Sequence, residues 1–112
     1  MPPSIVVVFH GARGSYPVSG ERFQEFGGST ACVEIRAGGH LIICDAGTGI
    51  IGLGNRLAGN EGPTPCLRRA DGARRGRELI LLISHAHYDH IQGLPFFKPA
   101  FITEFSLRIF GP

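Results

Sequence analysis

The chain has 112 residues and a mass of 12.0 kDa, with 43% apolar residues, 18% charged residues, 17 Gly and no Trp, which describes one domain or a piece of one and excludes a multidomain machine. No apolar run approaches the roughly 18 residues of a membrane span, and the early run at residues 5–9 lacks a basic flank or a signal-type cleavage site, so a cytoplasmic protein is expected. Eleven Lys and Arg against nine acids give +2; residues 59–78 carry five Arg against three acids and so hold the whole excess, too weak a balance to indicate nucleic acid by composition.

In chain order, residues 4–9 (SIVVVF) are a β-branched run between Pro and Gly residues and read as an interior strand buried on both faces. Residues 11–29 are Gly-rich and irregular but carry Phe23 and Phe26, which suits a surface loop packed by its own side chains. Residues 30–36 alternate and residues 40–45 are nearly continuously apolar, with Gly38-Gly39 between them as a two-residue hairpin turn. That turn sets Val33 opposite Cys44. Ile50, Ile51, Leu53 and Leu57 have helical spacing, although Gly47, Gly49, Gly52 and Gly54 imply a short, weak helix. Residues 59–77 mix Gly, Pro and Arg without periodicity and read as a mobile, solubilising excursion rather than an RNA contact. Residues 78–84 (ELILLIS) make a fourth strand and residues 107–110 a fifth.

The three cysteines, Cys32, Cys44 and Cys66, are an odd, sparse set without C-x-x-C spacing, which fits reduced thiols. The hairpin register sends Cys32 and Cys44 to opposite faces, so they are not expected to bridge.

Chemistry concentrates in Ser84-His85-Ala86-His87-Tyr88-Asp89-His90, directly after the fourth strand; three of the chain's five histidines lie within six residues. In extended chain, i, i+2 and i+4 share a face, so His85, His87 and Asp89 are expected to converge while His90 serves a neighbouring point. Imidazole with carboxylate favours Zn²⁺ and related first-row ions over Mg²⁺ or Ca²⁺. With one coordination position open, the pKa of a bound water falls from about 15.7 towards about 7, which supplies a hydroxide nucleophile near neutrality. Two ions about 3.5 to 4 Å apart would also clamp the attacking and leaving oxygens of a phosphodiester.

Other features carry plainer readings. Asp45-Ala46-Gly47-Thr48-Gly49 reads as a tight strand-to-helix turn, with a phosphate cradle as the alternative. Arg13 and Ser15 lie in a loop that could reach a substrate phosphate, or Arg13 is a solvated surface cation. His10 and His40 read as solvent-facing, and Phe96, Phe97, Phe101, Phe105 and Phe110 as core or interface aromatics.

The run from His85 to His90 resembles the H-x-H-x-D-H signature of the metallo-β-lactamase fold superfamily. Residues 11–17 (GARGSYP), 26–34 (FGGSTACVE), 45–49 (DAGTG) and 90–97 (HIQGLPFF) are similar to blocks of a bacterial branch related to tRNase Z and to cyclic phosphodiesterases, with Ala12 where Thr and Tyr88 where Trp are more usual. The resemblance implies that His85 and His87 hold a first metal and Asp89 and His90 a second, with Asp89 also the catalytic proton acceptor. It implies Zn²⁺, one or two ions, with Mn²⁺ or Fe²⁺ as alternatives, and makes Asp45 the acid behind the histidine loop that orients it. A further His, a bridging Asp and a last His complete the family's site, and none of these is matched within the 112 residues.

The expected fold is α+β: the N-terminal half of an αββα sandwich, a single partial domain over residues 1–112 with a mixed sheet, hairpins and short helices on one face. Half a sandwich would leave an apolar sheet face bare, so a truncated product, a homo-oligomer or a second polypeptide covering that face is expected. The functional expectation is a metal-dependent hydrolase of phosphodiester bonds in RNA or small cyclic phosphodiesters, with no membrane partner. The alternatives are a non-catalytic remnant or interaction module that binds metal weakly, and a β-lactam or thioester hydrolase.

Overall fold

Gly38 and Gly39, both with positive φ (56° and 80°), turn the chain between two antiparallel strands, and only glycine takes two successive left-handed conformations without a Cβ penalty. A computed structural model describes residues 4–59 and 77–112. The strands around that turn are β2 (Cys32–Ala37) and β3 (His40–Cys44), with Val33 opposite Cys44 as the turn predicts. β1 (Val6–Gly11) pairs antiparallel with β2, whereas β4 (Arg77–Leu82) and β5 (Phe105–Phe110) add in parallel beyond β3, giving a mixed sheet in the order β1-β2-β3-β4-β5.

The single α-helix among the described residues, α1 (Gly49–Gly59), occupies the crossover between the parallel strands β3 and β4. It runs eleven residues despite its glycines, longer than the sequence suggests. Tertiary packing outweighs propensity here. Ile50, Leu53 and Leu57 are buried together with Leu41, Ile43, Leu79 and Leu81 of the sheet, and Phe97 completes this core. A Cβ on Gly54 would stand 2.6 Å from the Phe97 ring, so the absence of a side chain is what lets that ring approach.

The opposite sheet face is open. The register aligns Phe9, Val33, Cys44, Leu82 and Phe110 in one row and Val7, Ile35, Ile42, Ile80 and Arg108 in the next. Phe9 is 72% exposed, Val7 50%, Phe110 49% and Leu82 40%, so among the described residues this face presents a broad exposed apolar surface.

Two expectations are corrected. β1 is an edge strand with mostly exposed side chains, not an interior one; a β-branched run satisfies an edge as well as a centre, and periodicity does not distinguish them. His10 is not solvent-facing: a bulge between Phe9 and Gly11 leaves it as the extra residue, and its side chain is only 8% exposed. There His10 Nε2 lies 2.8 Å from the buried Glu34, Arg36 sits 3.3 Å from the same carboxylate, and Arg56 of α1 lies 2.9 Å from His10 Nδ1. Of the five phenylalanines, Phe97 and Phe105 are core while Phe96, Phe101 and Phe110 are exposed. The Arg-rich excursion and Cys66 lie outside the described residues, apart from the two ends of that segment. His40 is exposed, as expected. No helix among the described residues is long and apolar enough to cross a membrane.

Candidate metal site at the end of β4

The histidine string leaves the sheet where β3 and β4 end side by side. Asp45 N–H donates to Leu82 O at 2.8 Å, so Asp45 stands beside Ser84 at the sheet rim. Its φ of +65° is left-handed, a conformation that costs a side chain free energy and that Asp tolerates better than most. The conformation is held by what the carboxylate does. Oδ1 accepts from Ser84 N–H at 2.8 Å, both oxygens lie within 2.9 Å of Ser84 Oγ, and Oδ2 lies 2.9 Å from His90 Nδ1.

Those contacts dictate tautomers. A carboxylate only accepts, so His90 donates from Nδ1 and, as a neutral ring, keeps its lone pair on Nε2. Ser84 gives its one hydroxyl hydrogen to Asp45, so at 2.8 Å from His85 Nδ1 it accepts, and His85 keeps its lone pair on Nε2 as well. That Nε2 lies 3.1 Å from His87 Nδ1. Two nitrogens bound tetrahedrally to one zinc ion are about 3.3 Å apart. On the other side of the cluster, His90 Nε2 lies 3.4 Å from Asp89 Oδ2, and the His85 and His90 rings are 4.2 Å between centroids.

The donors therefore come as two neighbouring pairs, His85 with His87 and Asp89 with His90. The expected convergence of His85, His87 and Asp89 on one point is not what the backbone produces, because Tyr88–His90 forms a 3₁₀ turn that ends the extended alternation after His87. Among the described residues no group of three His, Cys, Asp or Glu side chains is placed to hold one ion. Each pair supplies half of a four-donor shell, and the donor chemistry suits a first-row divalent ion.

Asp89 is held from a second direction. Ser15, 74 residues earlier in sequence, donates its backbone N–H to Asp89 Oδ2 at 2.9 Å, from a left-handed backbone of φ +73°. This bond, more than the neighbouring His90 and His87, keeps the Asp89 carboxyl below the usual carboxylate range. Burial pushes the Asp45 carboxyl up, but the Ser84 N–H, His90 and the Ser84 hydroxyl outweigh it and bring it below its ordinary value. Both acids are ionised at neutral pH.

The turn at residues 45–49 is not a phosphate cradle. Its N–H groups are already taken: Asp45 by Leu82 O, Ala46 by His90 O, Gly47 by Ala31 O, Thr48 by Thr30 Oγ1 and Gly49 by Thr30 O. It is a brace for the histidine loop, completed by Gly93 N–H to Ala46 O and by Gln92 Nε2 to Thr30 Oγ1. Arg13 is not a simply solvated cation; its guanidinium lies 5.2 Å from the ring centres of both Tyr16 and Phe23. Sequence reasoning missed Ser84 as the link between Asp45 and His85, although it begins the histidine string, and missed the Ser15 N–H, which no side-chain pattern reveals.

Neither a search of curated proteins nor one of solved structures returned a match. A family model described as the Metallo-beta-lactamase superfamily matches residues 26–104, a span that includes the Asp45 brace and the whole histidine string. With that span covering most of the chain and the paired donors at the sheet rim, the protein belongs to the metallo-beta-lactamase superfamily.

Proposed function

We propose that this protein is a metal-dependent hydrolase of phosphodiester bonds, in RNA or in small cyclic phosphodiesters, with His85 and His87 holding one divalent ion and Asp89 and His90 a second. The observation that carries this reading is the pair of imidazole nitrogens, His85 Nε2 and His87 Nδ1, 3.1 Å apart, with the His85 lone pair directed there by Ser84 and Asp45. Zn²⁺ is the ion best matched to these donors, with Mn²⁺ and Fe²⁺ as alternatives. When bound, such an ion supplies Lewis acidity and an activated water.

The chain's own residues do the rest. Asp45 fixes His90 by accepting from Nδ1 and fixes His85 through Ser84, so neither ring needs to reorganise when its free nitrogen is used. The Ser15 N–H aims the Asp89 carboxylate and keeps it ionised, which suits Asp89 as the proton acceptor during turnover.

The test is zinc and manganese titration of the purified chain, with hydrolysis of bis(p-nitrophenyl) phosphate as the activity readout. Tight metal binding that His87→Ala abolishes at the first pair, together with metal-dependent hydrolysis, supports the proposal; undiminished zinc in His87→Ala overturns the site. A second reading, a non-catalytic module that holds metal weakly, is favoured by one observation: among the described residues each ion would find only two protein donors. Sub-stoichiometric metal without turnover would select it. Activity on a β-lactam or thioester but not on phosphodiesters would move the substrate class while keeping the metal site.

A further inference from the structure

A cavity of about 330 Å³ lies in the loop between β1 and β2, lined by Ala12, Arg13, Arg22, Phe23, Glu25 and Phe26. It falls within the size range of small-ligand sites. Arg13 is pre-set in it by the Tyr16 and Phe23 rings, so little side-chain freedom remains to be lost on binding an anion. Arg22 and Glu25 make no ion pair among the described residues, and the two Arg against one Glu leave one net positive charge. Phe26 is 80% exposed, a bare ring at the edge of a cationic pocket. The loop is also tied to the metal site: two residues after Arg13, Ser15 N–H holds Asp89.

From this juxtaposition we infer that the loop is a nucleotide-binding pocket, with Arg22 and Arg13 holding a phosphate and Phe26 stacking a planar base. The proposal deepens the phosphodiesterase reading and rests on it for the link to catalysis. It also makes a specific demand on the substrate: a flat heterocycle must accompany the phosphate, because a sugar phosphate alone leaves Phe26 without a stacking partner. The same chemistry can come from a free mononucleotide or from the terminal nucleotide of an RNA.

The test is NMR titration of the ¹⁵N-labelled chain in EDTA, without divalent ions, with adenosine 5′-monophosphate, ribose 5-phosphate and a tetra-adenylate. Because no metal is present, failure here leaves the metal site standing, and failure of the metal site leaves this binding measurable. Adenosine monophosphate is expected to shift the amides of residues 12–27 and to bind at least about fivefold more tightly than ribose 5-phosphate. Arg22→Ala should weaken it roughly tenfold. Phe26→Ala should weaken adenosine monophosphate and leave ribose 5-phosphate unchanged, while Glu25→Gln should tighten both. Tighter binding of the tetra-adenylate assigns the pocket to an RNA end, and equal binding to a free nucleotide. Equal affinity for adenosine monophosphate and ribose 5-phosphate, or no effect of Arg22→Ala and Phe26→Ala, overturns the proposal; both side chains are exposed, so neither change threatens folding.

Discussion

Asp45 Oδ2 and His90 Nδ1 are 2.9 Å apart, and this contact joins the end of β3 to the last histidine of the loop after β4. A carboxylate in this position sets which ring nitrogen is free and raises its basicity. Asp45→Ala is therefore expected to lower zinc affinity by about ten- to a hundredfold, measured by competition with a chromophoric chelator. Asp45→Asn, which keeps an acceptor and tolerates the left-handed backbone, should lose less. Unchanged affinity in Asp45→Ala would remove Asp45 from any role at the site.

The buried Glu34 predicts an acid-sensitive stability. Burial pushes its carboxyl up, but the His10 hydrogen bond and then the charges of Arg36, His10 and Arg56 outweigh that and bring it below the ordinary 4.5. A depressed folded-state value stabilises the fold fully above the unfolded value, and the contribution is lost as pH falls through the folded value. Glu34→Gln should therefore cost about 1 to 3 kcal/mol at pH 7 by leaving its partners short of an acceptor. In urea unfolding, the gap to the parent should narrow below about pH 4.5. A gap that stays constant to pH 3 would mean Glu34 contributes through shape, not charge.

Cys32 and Cys44 sit on adjacent strands but on opposite faces, as the hairpin register requires. Burial, then the nearby charges of Glu34, Asp45 and Cys44, push the Cys32 thiol up to about 12. At pH 8 it is a protonated thiol with no solvent access. Iodoacetamide under native conditions should leave Cys32 unmodified while urea exposes it, read by peptide mass spectrometry. Native alkylation of Cys32 at the rate of a free thiol would contradict the burial.

The parts legible in the sequence are those whose geometry is local. Gly38-Gly39 set the hairpin register, and His85 to His90 after an apolar strand marked the candidate donors. Asp45 as the orienting acid came from resemblance; its carboxylate makes four short contacts, three to Ser84 and one to His90. What was not legible depends on non-local packing. The 3₁₀ turn at Tyr88–His90 ends the extended alternation before Asp89, and nothing in an H-x-H-x-D-H pattern states where extension stops. His10 looked exposed because a bulge reverses no periodicity that a six-residue strand can display. The Ser15 contact is a backbone bond across 74 residues, invisible to any reading of side chains.

Two glycines separate site architecture from helix propensity. A Cβ on Gly47 would stand 2.5 Å from Asp89 O and 2.5 Å from Thr30 Oγ1, where the strand-to-helix turn is clamped between the segment leading into β2 and the histidine loop. Gly47→Ala must push those segments apart, with an overpacking cost of about 1 to 3 kcal/mol and a loss of metal affinity, since Ala46 N–H holds the histidine loop through the His90 carbonyl and Gly47 N–H ties the same turn to the Ala31 carbonyl. Gly52, on the exposed side of α1, has nothing within 4 Å of a built Cβ. Gly52→Ala should raise stability by about 0.5 to 1 kcal/mol by removing backbone freedom from the unfolded chain, and should leave zinc affinity untouched. Thermal melts with paired zinc titrations decide the matter. If Gly47→Ala loses stability but binds zinc as before, the turn braces the fold without shaping the donors; if both variants behave alike, the close approach at Gly47 carries no weight.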